Sequence, residues 1–301
     1  MEEVIKIDSI KQYNELYGLP EQNPLVAVID LSKATRFPTH FTLNYGLYAL
    51  YLKQTKCGDL RYGKQIYDYQ EGTVTSFAPG QVVEVIPNGN VRPMSKGLLF
   101  HPDLIRGTSL GKEIKHYSFF SYASNEALHL SEEEKQIFQD CLNKIQMELE
   151  HPADRHSKGL ICRNIELLLD YCMRFYERQF QTRKKVNKDI LERFEDLLDS
   201  YFSGDKPQIL GLPTVKYFAD GVNLSANYFG DLVKKETGRT AQEYIQNKLV
   251  NVAKEEMLGS NKSISEIAYG LGFQYPQHFT RIFKKTVGYT PTEYRIARTE
   301  C

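Results

Sequence analysis

The chain has 301 residues, of which 41% are apolar and 25% are charged, and its 38 basic side chains balance 38 acidic ones. This composition is that of an ordinary globular protein long enough for two domains, and no apolar run approaches the roughly 18–20 residues of a membrane span. The first residues, MEEVIKIDSI, lack the basic-then-apolar layout of an export signal, so we expect a cytoplasmic protein.

Residues 20–122 predict a β-rich region. Short runs rich in Val, Tyr, Phe and Leu are separated by Gly, Pro, Asn and Asp, and PNGN (87–90) is the clearest turn. Many short strands at near-regular spacing favour a sandwich or a barrel. The runs that predict strands are LVAVIDL (25–31), LYALYLK (47–53), GTVTSFAP (72–79) and GLLFHP (97–102).

Two helices are predicted beyond residue 130. Ser131 and Glu134 have the spacing of a capping box, which opens the first helix. The second helix runs from about Ser157 to Phe180 and carries apolar residues over more than a single stripe. It must therefore be buried against its own β-region or against another subunit, so packing and dimerisation both stay open for residues 131–181. The seam of the first helix is Ile137, Cys141, Ile145 and Leu149.

The five cysteines form no C-x-x-C pair. Cys141, Cys162 and Cys172 lie among apolar helical residues, and the other two are Cys57 and Cys301. We expect the three helical thiols to behave as small core side chains.

TRKKVNK (182–188) is the best candidate for a domain boundary, because it is short and charged and lacks core residues. It separates residues 1–181 from residues 187–301, and no convincing strand follows Asp189. The net charge of the chain is zero, but residues 205–301 hold 13 basic and 10 acidic side chains. This local excess permits nucleic-acid binding without requiring it.

One pattern occurs twice in the C-terminal region. FGDLVKKETGRTAQEY (229–244) and FTRIFKKTVGYTPTEY (279–294) align without a gap and share Phe, Lys-Lys, Gly, Thr and Glu-Tyr. Around each copy, a short amphipathic helix is followed by a turn and then by a second helix. This order predicts two helix-turn-helix units, at about 214–238 and 263–288.

In the second unit, the apolar residues define which face of the second helix points outward. Phe279, Ile282 and Phe283 are predicted to be buried, and Pro276 suits the first helical position. Gln and Arg near the start of such a helix can reach base edges in the major groove, and lysines one turn later suit phosphates. The candidate DNA-contacting residues are Gln277, His278, Arg281, Lys284 and Lys285.

The first unit repeats this plan with Phe229, Leu232 and Val233 as its buried stripe. Asp231 occupies the place of Arg281, and an acid repels phosphate although it can accept from cytosine. We therefore expect the first helix to discriminate less or to bind more weakly. Its outward face is predicted to contain Asn227, Tyr228, Gly230, Asp231, Lys234 and Lys235.

A longer helix is predicted between the two units, from about Gln242 to Leu258, opened by a capping box at Thr240 and Glu243. Its length of roughly 25 Å would hold two recognition helices nearly one DNA turn apart, about 34 Å. A connecting helix shorter than one turn of DNA would favour bent DNA. Its apolar seam is Ile245, Leu249, Ala253 and Met257.

GFQYPQHFTRIFKKTVGYTPTEYR (272–295) strongly resembles the signature of the AraC family of bacterial transcription regulators. The tandem repeat matches this family as well, over roughly 187–301. The resemblance implies a seven-helix DNA-binding domain with two helix-turn-helix units. It also implies base contacts from early positions of each recognition helix, whereas Gly230 and Asp231 depart from the commoner long polar residues. The early positions that the resemblance implies as base contacts are Asn227, Tyr228 and Asp231 in the first recognition helix and Gln277, His278 and Arg281 in the second.

The β-rich front, followed by two helices, looks like the cupin-like barrel that many members of this family carry. The resemblance thus implies a two-domain α+β protein, with a cupin-like effector-binding or dimerisation domain at 1–181 and an all-helical DNA-binding domain at 187–301. It further implies a regulator, most often an activator, that binds promoter DNA and a small-molecule effector. RNA polymerase and a second copy of the chain are the other implied partners.

A metal-dependent cupin enzyme with a helical appendage is the alternative. Such enzymes are expected to show His-x-His, then Glu and a later His, whereas His40, His101, His116 and His129 are scattered. His101 and Asp103 fit the His-x-Asp element of a facial-triad iron site, but an Asp after Pro better suits a turn. No nucleophilic triad or phosphate-cradling glycine loop is present. We therefore predict no enzymatic activity, no metal site and no cofactor.

Overall fold

The computed structural model describes residues 4–37, 41–53, 58–62, 65–66, 72–87, 94–122 and 126–299. Residues 88–90 of the predicted turn lie outside these ranges, as do His40, Cys57 and Cys301. The chain divides into two compact units, Met1–Thr182 and Arg183–Cys301. Within the described ranges, no helix combines the length and the apolar character needed to cross a membrane.

The described part of the N-terminal unit contains ten strands: β1 (Val4–Ile7), β2 (Val26–Asp30), β3 (Phe41–Tyr45), β4 (Tyr48–Lys53), β5 (Gly58–Tyr62), β6 (Gln65–Ile66), β7 (Thr73–Phe77), β8 (Val82–Pro87), β9 (Ser95–Phe100) and β10 (Leu128–His129). One sheet has the order β1-β3-β8-β5-β6 and the other the order β10-β7-β4-β9-β2. The pair β1–β3 is parallel and the remaining pairs are antiparallel. All four predicted strands are present as β2, β4, β7 and β9.

The two sheets pack face to face around one apolar core. Tyr45 on β3 stacks on Phe77 of β7 with ring centroids 5.1 Å apart, and Leu43, Ala49 and Leu99 are fully buried in the same cluster. Among the described strands no pairing joins one sheet to the other, so these strands form a sandwich of two open sheets rather than a closed barrel. The alternation of apolar and polar residues along the strands is compatible with a sandwich or a barrel. It determines which side chains point inward, but it does not determine whether the edge strands of the sheets pair with each other.

In the described residues of this unit, five α-helices accompany the sheets: α1 (Ile10–Tyr17), α2 (Pro102–Ile105), α3 (Ser109–Glu113), α4 (Glu132–Glu150) and α5 (Ser157–Thr182). The β prediction for residues 20–122 is wrong beyond Phe100, because Pro102 starts a helix there. His101 caps that helix, and its Nδ1 accepts the N–H of Asp103 at 3.1 Å. Asp103 was predicted to lie at a turn, and it lies in the first turn of this short helix.

Helices α4 and α5 are buried against their own unit. Ser131 and Glu134 form the predicted capping box at the start of α4. Arg178 on α5 donates to Glu134 and to the carbonyl of His129, both at 2.6 Å, and Gln179 accepts the N–H of His129 at 2.8 Å. Packing within the unit therefore accounts for the buried face of α5. The three helical cysteines are buried and free, as predicted.

The C-terminal unit is helical, and no strand occurs in the part of it that the structure describes. The division between the two units falls at Thr182 and Arg183, inside the predicted boundary at 182–188. This segment is helical from Lys184, and Asn187 is buried with its Nδ2 donating to Glu236 at 2.9 Å. Charged composition suggests a linker there, but an amphipathic helix also carries charges on its solvent side. The helices are α6 (Lys184–Phe202), α7 (Lys206–Leu210), α8 (Val215–Gly221), α9 (Ala226–Thr237), α10 (Ala241–Gly259), α11 (Ile264–Gly270), α12 (Pro276–Val287) and α13 (Pro291–Thr299).

Helix α10 belongs to both apolar clusters of this unit. Its first part packs with α6, α8 and α9, and its second part packs with α11 and α12. The clusters have fully buried phenylalanines at their centres, Phe218 and Phe229 in one and Phe279 and Phe283 in the other. The predicted α10 seam is confirmed, since it is buried at Ile245, Leu249, Ala253 and Met257.

Candidate nucleic-acid interface

The pairs α8–α9 and α11–α12 are the two predicted helix-turn-helix units, and their turns share one backbone geometry. Asn223 (φ 61°) and Gly272 (φ 90°) both lie in the left-handed region, which favours Gly and then Asn. Leu224 and Phe273 each donate their N–H to an alanine carbonyl of the preceding helix, at 2.9 and 3.0 Å. Equivalent turn residues of the two units are 49 positions apart in the sequence, whereas equivalent residues of α9 and α12 are 50 positions apart. The turn of the second unit is therefore one residue longer.

Gly272 also lies close to α7. A Cβ added there would be 2.6 Å from the carbonyl oxygen of Pro207 and 2.7 Å from the carbonyl of Gly211. The hydroxyl of Tyr201 on α6 donates to the same Gly211 carbonyl at 2.9 Å. The second turn is thus held against a backbone segment that α6 supports.

The recognition helices α9 and α12 end alike and begin differently. Both end at a left-handed glycine, Gly238 and Gly288. Ser225 caps α9, and its Oγ accepts the N–H of Tyr228 at 3.2 Å. Tyr275 stands at the same place before α12 without a side-chain cap bond, and Pro276 takes the first helical position, as predicted.

The outward face of α12 is exposed as predicted. Phe279 and Phe283 are fully buried, and Ile282 and Val287 are partly buried in the same cluster. The opposite side of the helix is left to solvent along its whole length. The exposed candidate residues on that side are Gln277, His278, Arg281, Lys284 and Lys285.

The outward face of α9 differs from the prediction at one residue. Tyr228 is 4% exposed, so the prediction that it points outward is wrong. Because α9 packs against α6, α8 and α10, its contact surface is wide enough to bury a residue beside the predicted stripe. Asp231 is half-buried, and Gly230 has open space where a Cβ would lie. The exposed candidates on α9 are Asn227, Lys234 and Lys235.

Tyr275 is an exposed residue beside the candidate interface that the sequence patterns do not indicate. Its side chain is 59% exposed. Its ring meets the imidazole of His278 edge-on, with the ring centroids 5.7 Å apart. The signal available in the sequence is the exchange of a capping Ser at 225 for a Tyr at the equivalent position, which removes the cap and adds an aromatic ring next to the helix start.

The basic end of α12 is close to two carboxylates. The pKa of Glu293 is lowered, mainly because its carboxylate accepts the N–H of Thr290 at 2.7 Å, with a smaller contribution from the charge of Lys284. The pKa of Glu243 is lowered chiefly by the N–H of Thr240, and Lys285 contributes less. Both lysines lie in the last turn, where cations also interact favourably with the helix dipole.

Helix α10 separates the two helix-turn-helix units. Its 19 residues correspond to about 28 Å, slightly longer than predicted because it extends by one residue at each end. It starts with the predicted capping box of Thr240 and Glu243, and Ser263 and Glu266 form the predicted box of α11. The same reciprocal hydrogen bonds join Thr290 and Glu293 at α13.

The candidate metal residues of the N-terminal unit are engaged in local contacts. Besides capping α2, His101 is near Asp103, whose carboxylate pairs with Arg106 at 2.9 Å. His116 Nδ1 is 2.5 Å from Glu113. Among the described residues, no group of three or more His, Cys, Asp or Glu side chains is arranged to hold a metal ion.

The match to a protein family lies within the C-terminal unit. The profile of a helix-turn-helix domain family matches residues 218–297. The uncharacterized HTH-type transcriptional regulator YijO of Escherichia coli (strain K12) is 26% identical over 51% of this chain and 50% of its own length. The transposon Tn10 TetD protein of Escherichia coli is 36% identical over 44% of this chain and 82% of its own. The chain spans half or less of the first curated relatives it matches.

Among solved structures, a transcriptional regulator from Chromobacterium violaceum, described as AraC-type DNA-binding domain-containing, is 22% identical. The match covers 37% of this chain and 93% of the other, with a TM-score of 0.33.

The paired turns, the exposed face of α12 and the family match define a transcription regulator of the helix-turn-helix class. More narrowly, the chain belongs to the AraC family of transcription regulators.

Proposed function

We propose that the protein regulates transcription by binding specific double-stranded promoter DNA through α12 and, more weakly, through α9. Gln277, His278 and Arg281 would read base edges in one major groove, and Lys284 and Lys285 would contact phosphates. The observation that carries the proposal is the exposed row of these five side chains opposite the fully buried Phe279 and Phe283.

Helix α9 would occupy the adjacent major groove on the same face of the DNA. Asn227 would contact bases, while Lys234 and Lys235 would contact phosphates. The half-buried Asp231 opposes phosphate binding and leaves α9 with less capacity to read sequence. Since α10 is about 28 Å long and one DNA turn is about 34 Å, binding of both helices would bend the DNA toward the protein.

We propose a regulatory role for the N-terminal unit. Residues 1–181 would form a cupin-like module that binds a small-molecule effector and pairs with a second copy of the chain, and residues 187–301 would be the DNA-binding domain. The family resemblance supports activation through RNA polymerase and a cytoplasmic location. We assign the protein no catalytic activity.

Selection of bound sequences from random DNA, followed by footprinting, tests this function. We expect two protected major-groove segments on one face, centred about one helical turn apart. Inserting half a turn of DNA between them should abolish simultaneous protection. Binding that shows no sequence preference at any salt concentration would contradict the proposal.

A further inference from the structure

The end of α6 contacts both apolar clusters of the C-terminal unit. Phe202, the last residue of this helix, is partly buried and packs against each of them. The preceding Tyr201 is 1% exposed and belongs to the first cluster. Its ring packs edge-on against Tyr217 and Phe218 of α8, with centroid distances of 5.1 and 5.9 Å. The end of α6 is therefore fixed to the first helix-turn-helix unit.

The hydroxyl of Tyr201 extends this connection to the second unit. It donates to the carbonyl of Gly211 at 2.9 Å, and the N–H of Gly211 donates to the carbonyl of Pro207 at 2.9 Å. The same two carbonyls lie against the turn between α11 and α12, because a Cβ at Gly272 would be 2.6 and 2.7 Å from their oxygens. We call these four residues, Tyr201, Pro207, Gly211 and Gly272, the α7 bridge.

The α7 bridge and α10 connect the two helix-turn-helix units by different routes. Helix α10 packs with α8 and α9 through its first part and with α11 and α12 through its second part. One connecting helix alone leaves the two units free to twist about its axis. The α7 bridge runs through other elements, since α7 contacts α6 and α11. It therefore restrains that twist and, with it, the angle between α9 and α12.

The angle between the two recognition helices matters for the choice of DNA. One extra base pair between the two contacted segments moves the second segment by about 3.4 Å and turns it by about 35°. A rigid pair of helices fits one spacing and must distort itself or the DNA to fit another. Preorganisation therefore raises affinity for the fitted spacing, and specificity is the difference between the fitted and the misfitted site.

We propose that the α7 bridge sets the angle between α9 and α12 and thereby selects the spacing of the two DNA segments that the protein binds. Tyr201 is the positioning residue, since it is buried and acts through Gly211 and Gly272. The inference deepens the proposed function and rests on its requirement that α9 and α12 bind one DNA molecule.

Tyr201→Phe tests the proposal, because it keeps the packed ring and removes only the donor to Gly211. Gel-shift titrations of the full chain compare the selected DNA with the same DNA lengthened or shortened by one base pair between the two protected segments. The wild type should bind the selected DNA at least tenfold more tightly than either altered DNA. In Tyr201→Phe this ratio should fall at least threefold, since the selected DNA loses affinity and the altered DNA does not.

Tyr217→Phe is the matched control, because it removes a hydroxyl from the neighbouring tyrosine of α8, which is 37% exposed. It should keep the wild-type ratio. A general loss of stability lowers the folded fraction and scales both affinities by the same factor, so it leaves the ratio unchanged. The proposal is overturned if Tyr201→Phe keeps the wild-type ratio or if Tyr217→Phe lowers it equally.

Amide hydrogen exchange of the chain without DNA separates this inference from the proposed function. The N–H of Phe273 donates to Ala268 in the second turn, and the N–H of Leu224 donates to Ala219 in the first. Tyr201→Phe should speed exchange at Phe273 at least threefold and leave Leu224 unchanged. Unchanged exchange with specific DNA binding would refute the α7 bridge alone. Faster exchange at Phe273, with no specific DNA binding by the wild type, would refute the proposed function.

Discussion

Among single residues, Gly272 is the one on which the second helix-turn-helix depends most directly. Its φ is 90°, and a Cβ would overlap the backbone of Pro207 and Gly211. We expect Gly272→Ala to destabilise the protein by about 2–4 kcal/mol, from left-handed strain and overpacking together. Urea unfolding followed by circular dichroism measures this loss.

The matched control for that substitution is Gly230→Ala in the middle of α9, where nothing lies within 4 Å of the added Cβ. This change should stabilise the protein by about 0.5–1 kcal/mol, because Ala loses less backbone entropy than Gly in a helix. Equal stability of the two alanine variants would show that neither the left-handed backbone nor the close contact at Gly272 contributes to stability.

Tyr275 is expected to contribute to DNA binding rather than to stability. Replacing it by the Ser that stands at position 225 offers α12 a side-chain cap and removes the ring beside His278. We predict that Tyr275→Ser leaves the stability unchanged or raises it by up to about 1 kcal/mol. Its affinity for the selected site should fall roughly three- to tenfold, because His278 loses the ring contact that restricts its rotamers.

Tyr275→Phe provides the control for this prediction, since it keeps the ring contact and loses only the hydroxyl. Its affinity should be close to that of the wild type. A Tyr275→Ser variant that binds the selected DNA as tightly as the wild type would show that the ring has no positioning role.

The exposed face of α12 could be predicted from the sequence because Phe279, Ile282 and Phe283 fix the centre of its apolar stripe. The same reasoning fails at Tyr228. Periodicity gives the centre of a buried stripe, but its width depends on how many helices pack around it. Tyr275 escapes prediction for another reason, because it precedes the helix and has no place in the helical period.

For whole helices, the capping boxes link stability to pH. The pKa of Glu266 is lowered from its ordinary value of 4.5, mainly by the N–H of Ser263, whose nitrogen is 2.6 Å from the carboxylate. Because the folded pKa lies below the unfolded one, the stabilisation is present above about pH 4.5 and is lost as the pH falls through the folded value. Glu243 and Glu293 behave in the same way.

Glu266→Gln tests this linkage, because Gln can still accept from Ser263 but carries no charge. The variant should be less stable than the wild type near neutral pH, and the difference should shrink as the pH falls below about 4.5. Glu255→Gln, on the exposed side of α10, removes the same charge away from any capping box and serves as the control. A stability difference for Glu266→Gln that is independent of pH would refute the linkage.

The long elements could be predicted from the sequence and several short ones could not. Helix α10 has a clear seam, and the boxes at Ser131 and Thr240 fix where α4 and α10 begin. In α4 only Cys141 and Ile145 of the predicted seam are buried, together with Phe138 and Leu142, while Ile137 and Leu149 are half-buried. The four-residue helix α2 has no room for a period of 3.6 residues, so its strand-like flank dominates the pattern. Helix α1 does carry a usable signal, since Ser9 and Gln12 form a capping box.

For the protein as a whole, we expect the two recognition helices to contribute unequally to one DNA site. The two copies keep the apolar character of their inward positions and share the exposed Lys-Lys pair, but they differ at the early outward positions of the recognition helices. Arg281 and Asp231 are the clearest case, because they occupy equivalent positions with opposite charges. We therefore expect Arg281 to read sequence and Asp231 not to do so.

The most direct measurement is a gel-shift titration of the full chain against its selected DNA and against unrelated DNA. Arg281→Ala should lower specific affinity roughly 10- to 100-fold, in line with about 1–3 kcal/mol for one bidentate base contact, and should change non-specific affinity little. Asp231→Ala should leave the affinity unchanged or raise it, and Arg106→Ala in the N-terminal unit should have no effect. Equal specific binding by wild type and Arg281→Ala would show that Arg281 does not read sequence.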